Sequence, residues 1–227
     1  MANNFLEKVS AQNGSSIIIT DDEIMAPHLT DWRGNFSGHA SALLMPTDTE
    51  MVSAIMRIAD EENQVIVPQG GNTGLVGGGI PDQSGNTVIL SLQKMNSIIE
   101  FSCENRTITV QAGCILQHIH ELVEQEGLYF PLSLAAKGSC TIGGNLATNA
   151  GGLNVLRYGT MREQCLGLQI VLSDGTILNQ LTPLRKDNTG YDLKNLFIGS
   201  EGTLGIITAA CLKLVSKPMA RATAIAV

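Results

Sequence analysis

Three glycine-rich stretches constrain this chain more than any other feature: PQGGNTGLVGGG at 68–79, KGSCTIGGNLATNAGG at 137–152 and GSEGTLG at 199–205. The chain holds 24 glycines in 227 residues, above the ordinary share of ~7%. With no strict period among them, they mark tight turns and close backbone approaches rather than a fibre. The first stretch follows a short apolar run, Val65-Ile66-Val67, and contains no Lys or Arg. An anion held there must be held by backbone N–H groups, which glycines allow to converge into a concavity. Asn72 and Thr73 add side-chain donors. Hydrogen bonds to a charged group contribute roughly 1.5–3 kcal/mol each. Five would contribute on the order of 7–15 kcal/mol, enough to hold a diphosphate cofactor without a covalent link. No stretch reads G-x-G-x-x-G or G-x-x-x-x-G-K-[ST], so the Rossmann and P-loop signatures are absent. On the residues alone, a cofactor site and a turn-rich architecture both stay open.

The formal net charge is −7 and no basic stripe is visible, which argues against a nucleic-acid partner. Five cysteines, Cys103, Cys114, Cys140, Cys165 and Cys211, stand far apart without a CxxC pair. That spacing fits buried free thiols in a reducing compartment rather than a disulfide framework or a zinc site. The opening MANNFLEKVS has no basic region followed by an apolar stretch, and no run of about 18 apolar residues occurs. The expectation is a cytoplasmic protein with no transmembrane segment and no bound metal. A homo-oligomer stays open.

The hydrophobic pattern predicts the elements between the loops. The first 45 residues are weakly patterned, and residues 1–40 read as an irregular entry segment that includes Asp31-Trp32-Arg33-Gly34. Thr47-Asp48-Thr49-Glu50 reads as a capping box. Apolar residues at Met51, Val52, Ile55, Ile58 and Ala59 then give one buried helix face to about Asn63. With Val65–Val67 and Thr87–Leu92 as strands, residues 41–96 read as a β-α-β lobe. Residues 97–216 read as a second lobe. It would hold strands at Ile98–Phe101 and Thr107–Gln111, a helix over Ile115–Glu126, a hairpin around Ser173-Asp174-Gly175, and a last strand over Gly205–Leu214. Residues 217–227 read as an exit linker. The fold class is α+β (α/β): a small β-α-β lobe plus a larger mixed or antiparallel sheet lobe with helices.

Several motifs in order carry a resemblance. PQGGNTGL after a strand, GSCTIGGNLATNAGG, Arg157-Tyr158-Gly159, RKDNTGYDLKNLFIGSEGTLG at 185–205 and DWRG at 31–34 resemble the FAD-binding domain of the vanillyl-alcohol-oxidase (PCMH) type. They are most similar to the D-2-hydroxyglutarate and D-lactate dehydrogenase branch. The resemblance covers about residues 30–215 and implies FAD lying between two lobes. Pro68, Gln69, Gly70, Gly71, Asn72, Thr73, Gly74 and Leu75 would wrap the pyrophosphate. Leu134, Lys137, Gly138, Ser139, Thr141, Ile142, Gly143 and Asn145 would line the ribityl chain and flavin. Thr148, Asn149, Gly151 and Gly152, with Tyr158 and Gly159, would close around the isoalloxazine. Glu201, Gly202, Gly205, Ile206 and Ile207 would sit near the adenosine end.

The resemblance also implies chemistry: a base takes the hydroxyl proton of a 2-hydroxy acid while hydride passes from its α-carbon to flavin N5. The protein positions the reacting carbon and tunes the flavin. Some members bind the flavin covalently through a histidine in the first loop. None is present here, so the expected FAD is non-covalent, with Cys140 the one nucleophile nearby. The family places its substrate arginine, metal-binding histidines and candidate base in a C-terminal cap domain, so no catalytic residue is assigned. Electrons would leave to a separate acceptor. A nicotinamide-dependent reductase on the same fold and a flavin-binding module or electron-transfer subunit without its own substrate site are the rivals.

The remaining polar residues have plainer readings. His118 and His120 lie about 200° apart on a helix and read as surface residues. Arg185-Lys186-Asp187 reads as a solvated turn. Lys137 faces either the flavin or solvent, and Arg157 and Tyr158 either wall the flavin site or pack the lobes.

Overall fold

The computed structural model describes residues 2–220 and 222–225. The N-terminal region departs from expectation. Helix α1 (Ala2–Asn13) packs on a later helix, with Phe5 and Val9 fully buried, and β1 (Ile18–Ile19) joins a sheet. A short α2 (Asp22–Met25) follows, its first turn capped by the Asp21 carboxylate. The irregular entry segment is thus corrected. Among the described residues of α1, Phe5 and Val9 are buried and Leu6 packs beside them, a short apolar stretch without a sustained helical period, and what holds α1 is tertiary packing.

Strand β2 (Ala40–Leu44), which the sequence reading missed, leads into α3 (Thr49–Glu62). The cap of α3 is Asp48, whose carboxylate accepts from Met51 N–H at 2.8 Å, and not the expected Thr47. Asn63 ends the helix with φ 53°, the left-handed residue that stops helices. Strands β3 (Ile66–Gln69) and β4 (Thr87–Ser91) complete a four-stranded sheet of order β1-β2-β4-β3. Both β2 and β3 run parallel to β4. As the covered central strand, β4 is buried at every position, which is why it reads as a continuous apolar run.

The second lobe begins with β5 (Ile98–Ser102), β6 (Thr107–Gln111), α4 (Leu116–Gln125) and β7 (Leu128–Tyr129). Three short helices follow, α5 (Ile142–Ala147), α6 (Val155–Tyr158) and α7 (Met161–Gln164). Then come β8 (Cys165–Val171), β9 (Ile177–Gln180), α8 (Lys194–Phe197), β10 (Ile206–Lys213) and β11 (Val215–Ser216). The main sheet is antiparallel with order β5-β6-β10-β8-β9, and β7 pairs with β11. The α+β class with two lobes matches the expectation from patterning. The expected linker, 217–227, falls partly outside the described residues.

One core serves the junction. Val52, Ile55 and Ile58 of α3 share a buried cluster with Ala112, Val171 and Ile206 of the second lobe. Thr49 donates to Gln169 Oε1 at 2.7 Å and Ser53 to Gly175 O at 2.5 Å across the same boundary. The lobes are therefore held in register, and the space between the C-terminal ends of β3 and β4 and the N-terminal end of β10 is a defined cleft. Ligands of open parallel sheets bind outside the carboxyl ends of the strands.

Two side chains read as solvated, His120 and Arg185, are engaged. His120 is half-buried and stacked on Tyr129, and burial lowers its pKa from the ordinary value of 6.5. His118 is exposed. Arg185 donates to the carbonyls of Asn105, Arg106 and Leu214, so it ties the 181–193 loop to the second lobe instead of standing in solvent. All five cysteines are free and four are buried, but Cys103 is exposed, in the polar turn between β5 and β6.

Candidate functional site

The cleft has a volume of about 850 Å³, within the range of cofactor sites. Four segments build it: the turn at Asp31 and Trp32, the loop from Pro68 to Ile80, the stretch from Leu134 to Ala150, and Ser200 to Ile207. Of the residues expected to hold a cofactor, Pro68 to Leu75 all line it. So do Leu134, Ser139, Thr141, Gly143, Asn145, Thr148, Glu201, Gly202, Gly205, Ile206 and Ile207.

Eight expected residues do not line it. Lys137 and Gly138 are exposed on the outer side of their turn. Ile142, the first residue of α5, is fully buried in the second-lobe core. Asn149 turns its Oδ1 to Arg162 N–H at 3.0 Å. Gly151 lies beside Val155, and Gly152 packs against the Ser133 carbonyl. Tyr158 stands edge-on to Tyr129 with Arg157 over its ring, and Gly159 accepts from Gln164 Nε2 at 3.0 Å.

Other lining residues were outside the expected set. Asp31 and Trp32 were visible as DWRG but read as an entry segment. Val76 to Ile80 continue the first glycine stretch. Cys140, Gly144, Ala147, Ala150 and Ser200 lie inside the second and third glycine-rich stretches, whereas Leu92, Ala112, Ala135 and Ala136 are small or apolar residues outside them with no sequence signal of their own.

The chemistry of the cleft follows from its donors. Among the described residues, no backbone N–H from Gly70 to Gly79 donates to a protein acceptor. Asn72 holds φ 51° and Gly77 φ 74°, the left-handed conformations that turn successive N–H groups to one side. No Lys or Arg lines the cleft, and its charged members are Asp31 and Glu201. Asn72 departs from expectation: its Nδ2 donates to Pro27 O at 3.2 Å and Thr30 O at 2.9 Å, so its amide serves the protein and not a ligand.

The second glycine stretch meets the first backbone to backbone. A Cβ on Gly71 would fall 2.0 Å from Ser139 O. Its own amides are mostly occupied: Ser139 and Cys140 donate to Ala136 O, Ile142 to Cys114 O and Gly143 to Ala112 O. Asn145 is buried and donates to Cys140 Sγ at 3.5 Å. Burial pushes the Cys140 thiol above its usual 9.0. A chain of unpaired amides beside an apolar trough suits an elongated ligand with an anionic middle and flat, weakly polar ends.

Residues 40–180 match the family described as FAD binding domain. The chain belongs to that family. FAD is accordingly the cofactor of the chain. The bovine protein named D-2-hydroxyglutarate dehydrogenase, mitochondrial, is 52% identical over 201 residues, covering 88% of this chain and 37% of the bovine one. The zebrafish (Danio rerio) protein of the same name is 50% identical over 202 residues, 89% of this chain and 38% of its own. The FAD-binding chain thus spans less than two-fifths of the length of these relatives. Among solved structures, an alkyldihydroxyacetonephosphate synthase superposes with TM-score 0.84 at 24% identity, over 96% of this chain and 41% of that one, a likeness of fold.

The mitochondrial names of these relatives overturn the cytoplasmic expectation. Free, mostly buried thiols are compatible with any reducing compartment, so cysteine usage did not distinguish one from another. Among the described residues no helix is long and apolar enough to cross a membrane.

Proposed function

We propose that this chain is the FAD-binding portion of a dehydrogenase that oxidises a D-2-hydroxy acid, with D-2-hydroxyglutarate ahead of D-lactate because the relatives carry that name. The observation that carries the cofactor half is the run of unpaired N–H groups from Gly70 to Gly79 along the cleft. Those amides would hold the diphosphate. Leu134, Ser139, Thr141, Gly143 and Asn145 would face the ribityl chain and ring, and Thr148 would close beside it. Glu201 to Ile207 would take the adenosine end, where a carboxylate can accept from ribose hydroxyls. On this reading the two FAD-binding lobes are residues 97–216 and residues 40–96, the latter together with α1 and β1, which join its sheet and helix.

FAD held by the Gly70–Gly79 amides and the lining named above would supply a two-electron acceptor for a hydride from the substrate, and a separate acceptor would reoxidise it. The chain's own contribution is to orient the cofactor and exclude water on one side. FAD stays non-covalent: the first loop has no histidine, and the Cys140 thiol, kept protonated by burial, is a poor nucleophile. A 2-hydroxy acid brings a carboxylate, and the cleft lining offers it two like charges and no cation. Its anchor and the base therefore belong to parts of the whole protein outside this cleft.

An absorbance spectrum after adding FAD and desalting tests the cofactor half. Retained bands, released by acid precipitation, are the expected result. Loss of all colour on desalting would sink it. Adding D-2-hydroxyglutarate to the loaded chain should leave those bands unbleached, whereas a protein of the relatives' full length should bleach.

A further inference from the structure

The segment between α2 and β2 closes on itself. Thr30 and Ser37 form an antiparallel bridge, Asp31 N–H donates to Phe36 O at 3.0 Å, and Gly38 N–H donates to Leu29 O at 2.9 Å. Inside that hairpin the Asp31 carboxylate accepts from Phe36 N–H at 2.7 Å and Arg33 N–H at 3.3 Å. The hairpin then grips the first glycine-rich loop. Gln69, 2% exposed, donates from Nε2 to His28 O at 2.9 Å and to Gly79 O at 2.8 Å. One amide thus ties both ends of the loop to the base of the hairpin. With both Nε2 hydrogens committed, Gln69 Oε1 faces His28 Nδ1 as an acceptor, so the His28 proton sits on Nδ1.

Further along, Asn72 donates to Pro27 O and Thr30 O. Phe36 lies so close to Gly77 that a Cβ there would fall 2.7 Å from its Cγ. His39 N–H donates to Asp82 O at 2.8 Å beyond the loop.

We propose that residues 27–39 are a latch that holds the 69–79 loop in its anion-ready shape, with Gln69 and Asn72 as positioning residues acting through the backbone amides. This rests on the flavin reading of the cleft. The reason is the loop's own backbone. Its N–H groups make no bonds within the protein, and glycines give it wide conformational freedom. Whatever orders it before a ligand arrives must come from side chains and neighbours, and the hairpin supplies them. Pre-organisation of this kind raises affinity by removing an ordering cost from the binding step. Trp32, the single tryptophan, sits on the hairpin turn and lines the cleft, so its emission reports on the latch.

The test compares the unaltered chain with Asn72→Gly, which keeps the left-handed backbone and removes both tethers, and with Asn72→Asp, which keeps the size and lacks the N–H donors. Hydrogen exchange by mass spectrometry on the ligand-free chains should speed up at 27–38, where the amides of Asp31, Gly34, Phe36 and Gly38 are bonded, in both variants and stay unchanged in α3 and β8. FAD should bind about tenfold more weakly and quench Trp32 less at saturation, with little change in melting temperature. Exchange equal to the unaltered chain overturns the latch. Faster exchange in Asn72→Gly alone also overturns it, since glycine's freedom would then be the cause. If the unaltered chain binds no FAD, the flavin reading fails, while the exchange comparison still decides the latch.

Discussion

The loop at 68–79 and the loop at 137–152 are both glycine-rich and touch at Gly71 and Ser139, yet their backbones are occupied in different ways. In the first, the amides from Gly70 to Gly79 are unpaired and the polar side chains of Gln69 and Asn72 bond to the protein. In the second, the amides pair with carbonyls of Ala112, Cys114 and Ala136. Its glycines let α5 sit close against its neighbours: a Cβ on Gly143 would fall 2.7 Å from the Ala112 Cβ. The same residue type thus makes a donor surface in one loop, with a single close crossing at Gly71, and close packing with paired amides in the other. Substitutions in the first should be read out in affinity, and in the second in stability.

The sharpest way to break that contrast is Gly71→Ala. Its Cβ would press on the Ser139 carbonyl, so the two loops must part where the diphosphate is expected. FAD affinity, followed by flavin absorbance titration, should fall about a hundredfold, corresponding to about 3 kcal/mol. Gly74→Ala, with nothing within 4 Å of its Cβ, should stay within about 0.5 kcal/mol in stability. Equal losses at the two positions would mean that glycine identity, and not the crossing, matters.

Gly143→Ala should do the reverse, lowering unfolding free energy in urea by about 1–3 kcal/mol through overpacking, with a smaller effect on FAD affinity per folded molecule. A larger loss of affinity than of stability would move the donor role to the second loop.

Asp31 sharpens the comparison through pH. N–H donors from Phe36 first, then from Arg33 and Asn35, hold its carboxyl below the usual 3.8. A carboxyl lowered by folding stabilises the fold fully above its unfolded value, and that contribution fades as pH falls through the lowered one. Asp31→Asn should therefore be less stable than the unaltered chain at neutral pH, and the two should converge as pH drops below 3.8. A gap that persists in acid would mean that the carboxylate's charge is not what the hairpin uses.

The smallest effect expected is from salt. With no Lys or Arg lining the cleft, FAD affinity should change less than about threefold between ~0.05 and ~0.5 M salt, because neutral amides are screened little at contact distance. Lys137→Ala should be near neutral in the same titration, since the residue is exposed. A steep salt dependence would reveal a cation that reaches the ligand from elsewhere.

Part of this was legible in the residues. The α3 face, the apolar β4 run, the Asp174-Gly175 hairpin and the three glycine stretches each carry their signal within a few positions of the chain. Local periodicity and turn chemistry therefore identify them without reference to the rest of the fold. The absence of cations from the first loop already pointed to amide recognition. The order of motifs then pointed to a flavin domain, and the family match over 40–180 agrees.

What only the tertiary structure decided are relations between distant segments. Helix α1 and the 27–39 hairpin have weak patterns of their own because their stability comes from partners elsewhere in the chain. Asn72 is a donor in any sequence reading, and only the position of Pro27 and Thr30 shows where its hydrogens go. Which glycines expose amides and which permit a crossing depends on what lies opposite each one. A residue type sets what a group can donate, accept or tolerate, while packing of segments far apart in sequence decides whether that capacity faces the protein or the cleft.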